Sequence, residues 1–326
     1  MTNRAFELQA EVLARDLSLR LSGDPLAAIF QYCEKRVAGF LAKYGQIKSL
    51  DELLALVANH LGSTFEFVQS GGELAALKAS YLADGERAFV NIDTELDDET
   101  FGITLRLDHP RFGMRYVSVI DCRGPKSQAR YFTQWHELAH LLVLTDQQRI
   151  SWRRTHAGKK DAEERIVDAI AGRFAFHRAL VEPFVREGVS FEIVRSVKAK
   201  LCPNSSWQAA TLGVVNACPR PCFLLRAKRA PKKRATSADD TTLALRAIQV
   251  SRNDAARRAG LQIYPNMRVP ARSVITRVHD ESINGAQATE DLSWWETSTG
   301  EVLESCRVQT HARQTYDGVE AILTAL

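Results

Sequence analysis

The chain reads as an α+β protein, on three observations. Helix starts with their caps are written into the first third. Segments of period-two alternation follow them, and the C-terminal third alternates again around one short helical stretch. Asp24-Pro25 puts an N-cap before a proline at the first helical position, and the run continues to Lys43 before Gly45. Ser49-Leu50-Asp51-Glu52 is a capping box ahead of Leu53, Leu54, Leu56 and Val57, with Gly62 to close the helix. Alternation at 64–68, 88–92, 103–107 and 116–120 predicts a small sheet. Residues 128–143 contain no glycine or proline and predict a helix. A basic, polar loop is expected over 147–160, then a helix to about residue 180, ended by Pro183. Helices at 191–201 and 205–217 flank Cys202-Pro203-Asn204, in the outline of a helix-turn-helix or of a plain helical hairpin. Cys218-Pro219-Arg220-Pro221-Cys222 reads as a turn entering a strand. The stretch 226–234 has six basic residues in nine and, with 235–240, reads as a linker or exposed loop. Strands are expected at 243–250, 274–278, 292–295, 306–310 and 319–323, with a short helix at 253–260 whose Gly260 suits the C′ position. The domains expected are 1–186, 187–221 and 222–326.

Composition narrows the class. At 326 residues, 45% of them hydrophobic, the chain can bury two modest cores. No stretch approaches the ~18 apolar residues of a membrane span. The N-terminus is acidic in places and has no apolar h-region, so a cytoplasmic protein is expected. Six scattered cysteines suit free thiols in a reducing compartment. A formal charge of +4 permits nucleic-acid contact without arguing for it.

His136-Glu137-Leu138-Ala139-His140 carries the chemistry. On a helix, positions i and i+4 lie on one face, so both imidazoles can reach a single Zn²⁺. Glu137, one residue round, can deprotonate a water beside them. Such a site needs a third protein ligand. Glu164-Arg165-Ile166-Val167-Asp168 supplies two carboxylates one turn apart: Glu164 as the ligand, and Asp168 to accept the free N–H of a liganding histidine. Glu163 is the alternative ligand, on a different face from Asp168. Taken alone, this acidic element would read as a solvated helix face.

Phe132-Thr133-x-x-His136-Glu137-Leu138-Ala139-His140 and Glu164-x-x-Val167-Asp168-x-x-Ala171 together resemble the ImmA/IrrE family of metallopeptidases. Trp135 and Ala139 replace the family's usual small residue and glycine, and Asp168 its commoner asparagine. None of these changes removes a ligand. The resemblance covers residues 116–183. It implies a zincin-like metallopeptidase domain with one Zn²⁺. By element order, it also implies a helix-turn-helix-like segment and a small GAF-like C-terminal domain that receives a signal. The implied substrate is a helix-turn-helix (XRE-like) repressor, whose cleavage releases stress-response, mobile-element or anti-phage defence genes.

Other residues have candidate roles. Tyr131, His156 and His177 are candidates to stabilise an oxyanion. Cys122, at the end of the 116–120 strand, is a candidate inhibitory ligand; the alternative is a buried strand-end thiol. His60, His109, His279 and His311 have no partner pattern and read as structural. The basic residues of 226–234, with Arg149, Arg153, Arg154, Lys159 and Lys160, suggest single-stranded DNA as an activating signal, a small molecule being the other candidate. The competing function is a DNA- or repressor-binding regulator with a structural or vestigial zinc site. An intact Glu137 favours catalysis, because a structural site needs no base.

Overall fold

The computed structural model describes residues 3–20, 23–44, 46–143, 151–155, 162–232, 243–297 and 299–326. Two compact units divide the chain: 1–177 with 200–206, and 178–199 with 207–326. The helical pair expected as its own segment is thus shared out, with most of it in the second unit. Among the described residues no helix is long and apolar enough to cross a membrane.

Helices α1 (Asn3–Asp16), α2 (Pro25–Tyr44) and α3 (Leu50–Leu61) open the first unit. Asp24 accepts the Leu26 N–H at the start of α2, with Pro25 at the first helical position. At α3 the Ser49 hydroxyl accepts the Glu52 N–H at 3.1 Å, and Glu52 reaches back to the Lys48 N–H at 2.7 Å. Gly62 ends α3 at φ +66°, where a Cβ would stand 2.8 Å from the Gly113 carbonyl oxygen. Strand β1 (Ser63–Val68) follows, then α4 (Gly71–Ala83), capped by Ser70 and Glu73 in the same way as α3. Gly71-Gly72 conceal α4 in the sequence.

The strand expected at 88–92 is instead a 3₁₀ turn (Arg87–Phe89) and the short helix α5 (Ile92–Glu95). Phe89 and Ile92 are both fully buried, and a spacing of three serves a helical turn better than a strand. Strands β2 (Thr100–Arg111) and β3 (Met114–Asp121) form a hairpin. A 3₁₀ turn (Gly124–Ala129) leads into α6 (Arg130–Leu142), and β4 (Ser151–Thr155) and α7 (Ala162–Ala175) complete the unit. β4 corrects the expectation of a continuous loop over 147–160: it finds a backbone partner in the open edge of β2, which no local pattern reveals. The sheet order is β1-β3-β2-β4, with β1 parallel to β3 and the other pairs antiparallel.

The two faces of this sheet differ. Ile103, Leu105, Val117 and Val119 pack with Leu74, Phe89, Ile92 and Leu96 on one side. The alternate positions, including Gly102, Thr104, Ser118 and Ile120, face α6. Helix α6 is buried almost all round. Its other side is held by α7: Trp135 stacks on Phe174 with centroids 6.3 Å apart, and the Tyr131 hydroxyl donates to the Ala175 carbonyl at 2.6 Å. The Arg36 guanidinium of α2 donates to the Leu142 carbonyl, putting a positive charge on the last turn of α6.

In the second unit come α8 (Arg178–Val185), α9 (Phe191–Leu201) and α10 (Trp207–Ala217), then β5 (Cys222–Ala230) and β6 (Ala244–Arg252). These are followed by α11 (Asp254–Arg258), α12 (Val274–Asp280), β7 (Gly285–Asp291), a 3₁₀ turn (Leu292–Trp294), β8 (Arg307–Thr315) and β9 (Gly318–Ala325). The helix expected to run to residue 180 stops at Ala175, and Pro183 lies inside α8 instead of ending its predecessor. The sheet is wholly antiparallel in the order β6-β5-β9-β8-β7. Residues 226–230 of the expected basic linker belong to strand β5, paired with β6 throughout and with β9 as far as Ala227; residues 233–242 lie outside the described ones.

Two more expected strands are helical. Ser273 caps α12 by accepting the Ile275 N–H, and the buried Glu290 carboxylate accepts the Val274 N–H. A cap and a carboxylate at its first turn make 274–278 a helix despite four β-branched residues, Val274, Ile275, Thr276 and Val278. Residues 292–294 form the 3₁₀ turn, and β7 supplies the strand the sheet needs. The core gathers Phe223, Leu225, Ile275, Val278, Trp295, Val308 and Leu323. All six cysteines are free thiols, and burial pushes the Cys33 thiol up to about 12.

Asn253 ties the Cys218–Cys222 turn to this core. It is fully buried, its Nδ2 donates to the Cys218 and Arg220 carbonyls at 2.9 and 2.7 Å, and its Oδ1 accepts from the Cys222 and Ala256 N–H groups. Replacing it with alanine strands several buried partners at once. Asn253→Ala is expected to lower the unfolding free energy by about 2–4 kcal/mol, read from urea denaturation followed by tryptophan fluorescence.

Candidate metal centre

His136 and His140 sit one turn apart on α6, and α7 brings Glu164 to them. The two Nε2 atoms are 3.2 Å apart. Glu164 places Oε2 3.2 Å from the Nε2 of His136 and Oε1 3.4 Å from that of His140. A tetrahedral ion with bonds of ~2.05 Å has ligand atoms separated by ~3.3 Å along each edge; the Nε2–Nε2 distance matches that edge, and one Glu164 oxygen lies at about the same distance from each ring. The three side chains can hold a metal ion. His136 and His140 are essentially inaccessible, and the Glu164 side chain is 15% exposed.

The hydrogen bonding shows what a cation would relieve there. Asp168 Oδ1 lies 2.9 Å from the Nδ1 of His136. A carboxylate only accepts, so Nδ1 carries a proton, and in the neutral ring Nε2 then presents a lone pair. That lone pair faces a second acceptor, the Glu164 carboxylate. A metal ion, or a second proton on the ring, removes the conflict. Burial pushes the Glu164 carboxyl up, but its bonds and Coulomb interactions with His136 and His140 outweigh that and hold it well below the usual carboxylate range.

Glu137, beside His136, is fully buried. Its Oε2 accepts the Thr104 hydroxyl of β2 at 2.7 Å. Gly102, two positions earlier on that strand, clears space for it. A Cβ there would come 3.0 Å from Glu137 Oε1 and 2.7 Å from Thr133 Cγ2. Gly102, Thr104 and Ser118 were not anticipated. The signal was present in the alternation of Gly102-Ile103-Thr104-Leu105, but a polar face on a strand reads first as a wet one.

The remaining candidates are placed as follows. Glu163 is not part of the donor cluster. Neither is Cys122, a buried thiol at the end of β3 with Arg130, Asp121 and Glu73 as its charged neighbours; burial raises its pKa, which keeps it protonated and a poor ligand. Tyr131 is committed to the Ala175 carbonyl, and burial raises its pKa, so its hydroxyl is a tie between α6 and α7 and is not available to an oxyanion. His177 stacks against Phe174, and burial lowers its pKa. His156 lies outside the described residues. His60 packs on Phe40 and Tyr44, His109 pairs with Glu86, and His279 with Asp280; burial lowers the pKa of His311. No protein-family model matches the chain, and no curated protein matches it in sequence.

Two measurements test the centre. Titrated with Zn²⁺ against a chelator, the wild type is expected to bind one equivalent. Asp168→Ala is expected to bind it about 10–100-fold more weakly, through loss of the partner that orients His136. The Glu164 carboxylate has a lowered pKa when folded. Its contribution to stability is therefore present above its ordinary value of 4.5 and is lost as pH falls through the lower folded value. The metal-free Glu164→Gln variant is expected to lack that part of the acid destabilisation, as measured by urea midpoints across the acid range.

Proposed function

We propose that the chain is a zinc-dependent endopeptidase. The observation that carries this is the gathering of His136, His140 and Glu164 into one cluster, the Nε2 atoms 3.2 Å apart and a Glu164 oxygen within 3.4 Å of each, with Glu137 one residue from the first of them. Two histidines, one carboxylate and an open fourth position make the ligand set of a catalytic zinc site. When bound there, Zn²⁺ supplies a Lewis acid and lowers the pKa of a water to ~7. Asp168 holds the His136 ring in register. Glu137 takes the proton of the attacking water and delivers it to the leaving amine. Burial of α6 keeps bulk water away from these transfers.

The substrate class we infer is a helix-turn-helix repressor, on the resemblance of the two motif blocks to ImmA/IrrE metallopeptidases. In this reading the second unit is the regulatory part. The competing reading, a DNA-binding regulator, has less support: α10, the helix that would enter a groove, carries no basic residue in its last turn and buries most of its length.

The test is cleavage of helix-turn-helix (XRE-like) repressors, beginning with any encoded next to this chain, by the wild type and by Glu137→Gln at equal zinc content. Loss of the base is expected to slow cleavage by about 10²-fold or more. Equal cleavage by both would remove Glu137 from the mechanism. A zinc-loaded wild type that leaves the repressor intact would remove the substrate assignment.

A further inference from the structure

We propose that Thr104 is a positioning residue for Glu137, and that it stands at the end of a buried row of hydroxyls that aims the base. The proposal rests on Glu137 being the base. Thr104 Oγ1 is 2.7 Å from Glu137 Oε2 and 2.7 Å from Ser118 Oγ, and Ser118 Oγ is 3.4 Å from Ser63 Oγ. Thr104, Ser118 and Glu137 are fully buried, and Ser63 is 3% exposed. The row crosses three strands: Ser63 on β1, Ser118 on β3, and Thr104 on β2 directly opposite Ser118.

The protons in this row can be assigned. An ionised carboxylate only accepts, and each hydroxyl has one proton to give. Thr104 therefore donates to Glu137, Ser118 donates to Thr104, and Ser63, at the longest distance, donates to Ser118. All three O–H dipoles point their positive ends toward the carboxylate, and each bond polarises the next. Turning the Thr104 proton toward Ser118 instead would leave the carboxylate facing a lone pair.

A purely structural strand face against a buried helix has no reason for this composition. Burying hydroxyls costs free energy, and valine has nearly the shape of threonine. Neighbouring positions on the opposite face are apolar: Ile103, Leu105, Val117 and Val119. Gly102 is an independent sign. It is the preceding inward position on β2, and its missing side chain leaves room for Glu137 Oε1. One strand thus shapes both oxygens of the carboxylate, by a donor at one position and by a gap at the other. Without the donor the carboxylate is free to turn about its terminal torsion, which has only broad, shallow preferences.

The experiment uses the full chain loaded with Zn²⁺ and acetohydroxamic acid as the probe. A hydroxamate binds the metal and gives a hydrogen bond to a carboxylate beside it, so its affinity reports where Glu137 points without any peptide substrate. Calorimetry would compare the wild type, Glu137→Gln, Thr104→Val, Thr104→Ser and Ser118→Ala. All five are expected to hold one Zn²⁺ with similar affinity. Glu137→Gln and Thr104→Val are both expected to weaken acetohydroxamate by about tenfold or more, the worth of a hydrogen bond to a charged group. Thr104→Ser, which keeps the hydroxyl, is expected to bind it like the wild type. Ser118→Ala is expected to weaken it by a smaller factor, and it tests the row should Thr104→Val fail to fold. Wild-type affinity in Thr104→Val, or in Ser118→Ala where valine at 104 does not fold, would overturn the positioning role alone. A wild type that takes up no Zn²⁺, or Glu137→Gln with undiminished affinity, would overturn the reading of the base and this proposal with it.

Discussion

Acceptor atoms do not gather in a protein interior unless something positive lies between them. The Nε2 lone pair that the Asp168 bond leaves on His136 meets the Glu164 carboxylate at 3.2 Å, with the Nε2 of His140 within 3.4 Å of both, in a region almost closed to water. Desolvating them costs free energy, and their mutual repulsion adds to that cost unless a proton or a metal ion is shared. The surrounding architecture is what holds them there. Helix α6 is fixed on one side by the sheet and on the other by α7, and its last turn is met by Arg36. Trp135 against Phe174, and Tyr131 on the Ala175 carbonyl, set the distance between the two helices that carry the ligands.

The sheet does more than support this helix. Its far face is an ordinary apolar core around Phe89, Ile103 and Val117. Its near face trades apolar packing for hydroxyls and a gap at the positions that meet Glu137. A carboxylate buried without partners would cost several kcal/mol. The Thr104 hydroxyl offsets part of that cost by donating to Glu137. Trp135 fills volume toward α7 where a smaller residue would leave a cavity next to the ligands.

The second unit shows how one local device overrides a propensity. Val274-Ile275-Thr276 favours a strand by composition, yet it folds as the first turn of α12. Ser273 and the buried Glu290 satisfy the N–H groups of that turn, and Val274, Ile275 and Val278 then reach the core from one helical face. Glu290 comes from β7, the next strand along the chain and a weakly patterned one. Asn253 plays a comparable part at the other end of the sheet, where one side chain fastens a proline-rich turn to a helix start.

Much was legible in the residues themselves. The ends of α2 and α3 follow from Asp24-Pro25, the Ser49 box and Gly62, because caps act through neighbours in sequence. The spacing of His136, Glu137 and His140 specifies one helical face for the histidines, and Glu164 with Asp168 specifies another. Strand β4 and the hydroxyls at 63, 104 and 118 were not legible, since each depends on a partner far along the chain, while the helical state of 88–95 and 274–280 was masked by residues whose local pattern favours a strand. A polar residue on a strand has the same local pattern whether it meets water or a helix. Only the packing of α6 against the sheet turned Thr104, Ser118 and Ser63 inward, because burial is a property of what the rest of the chain places opposite a residue.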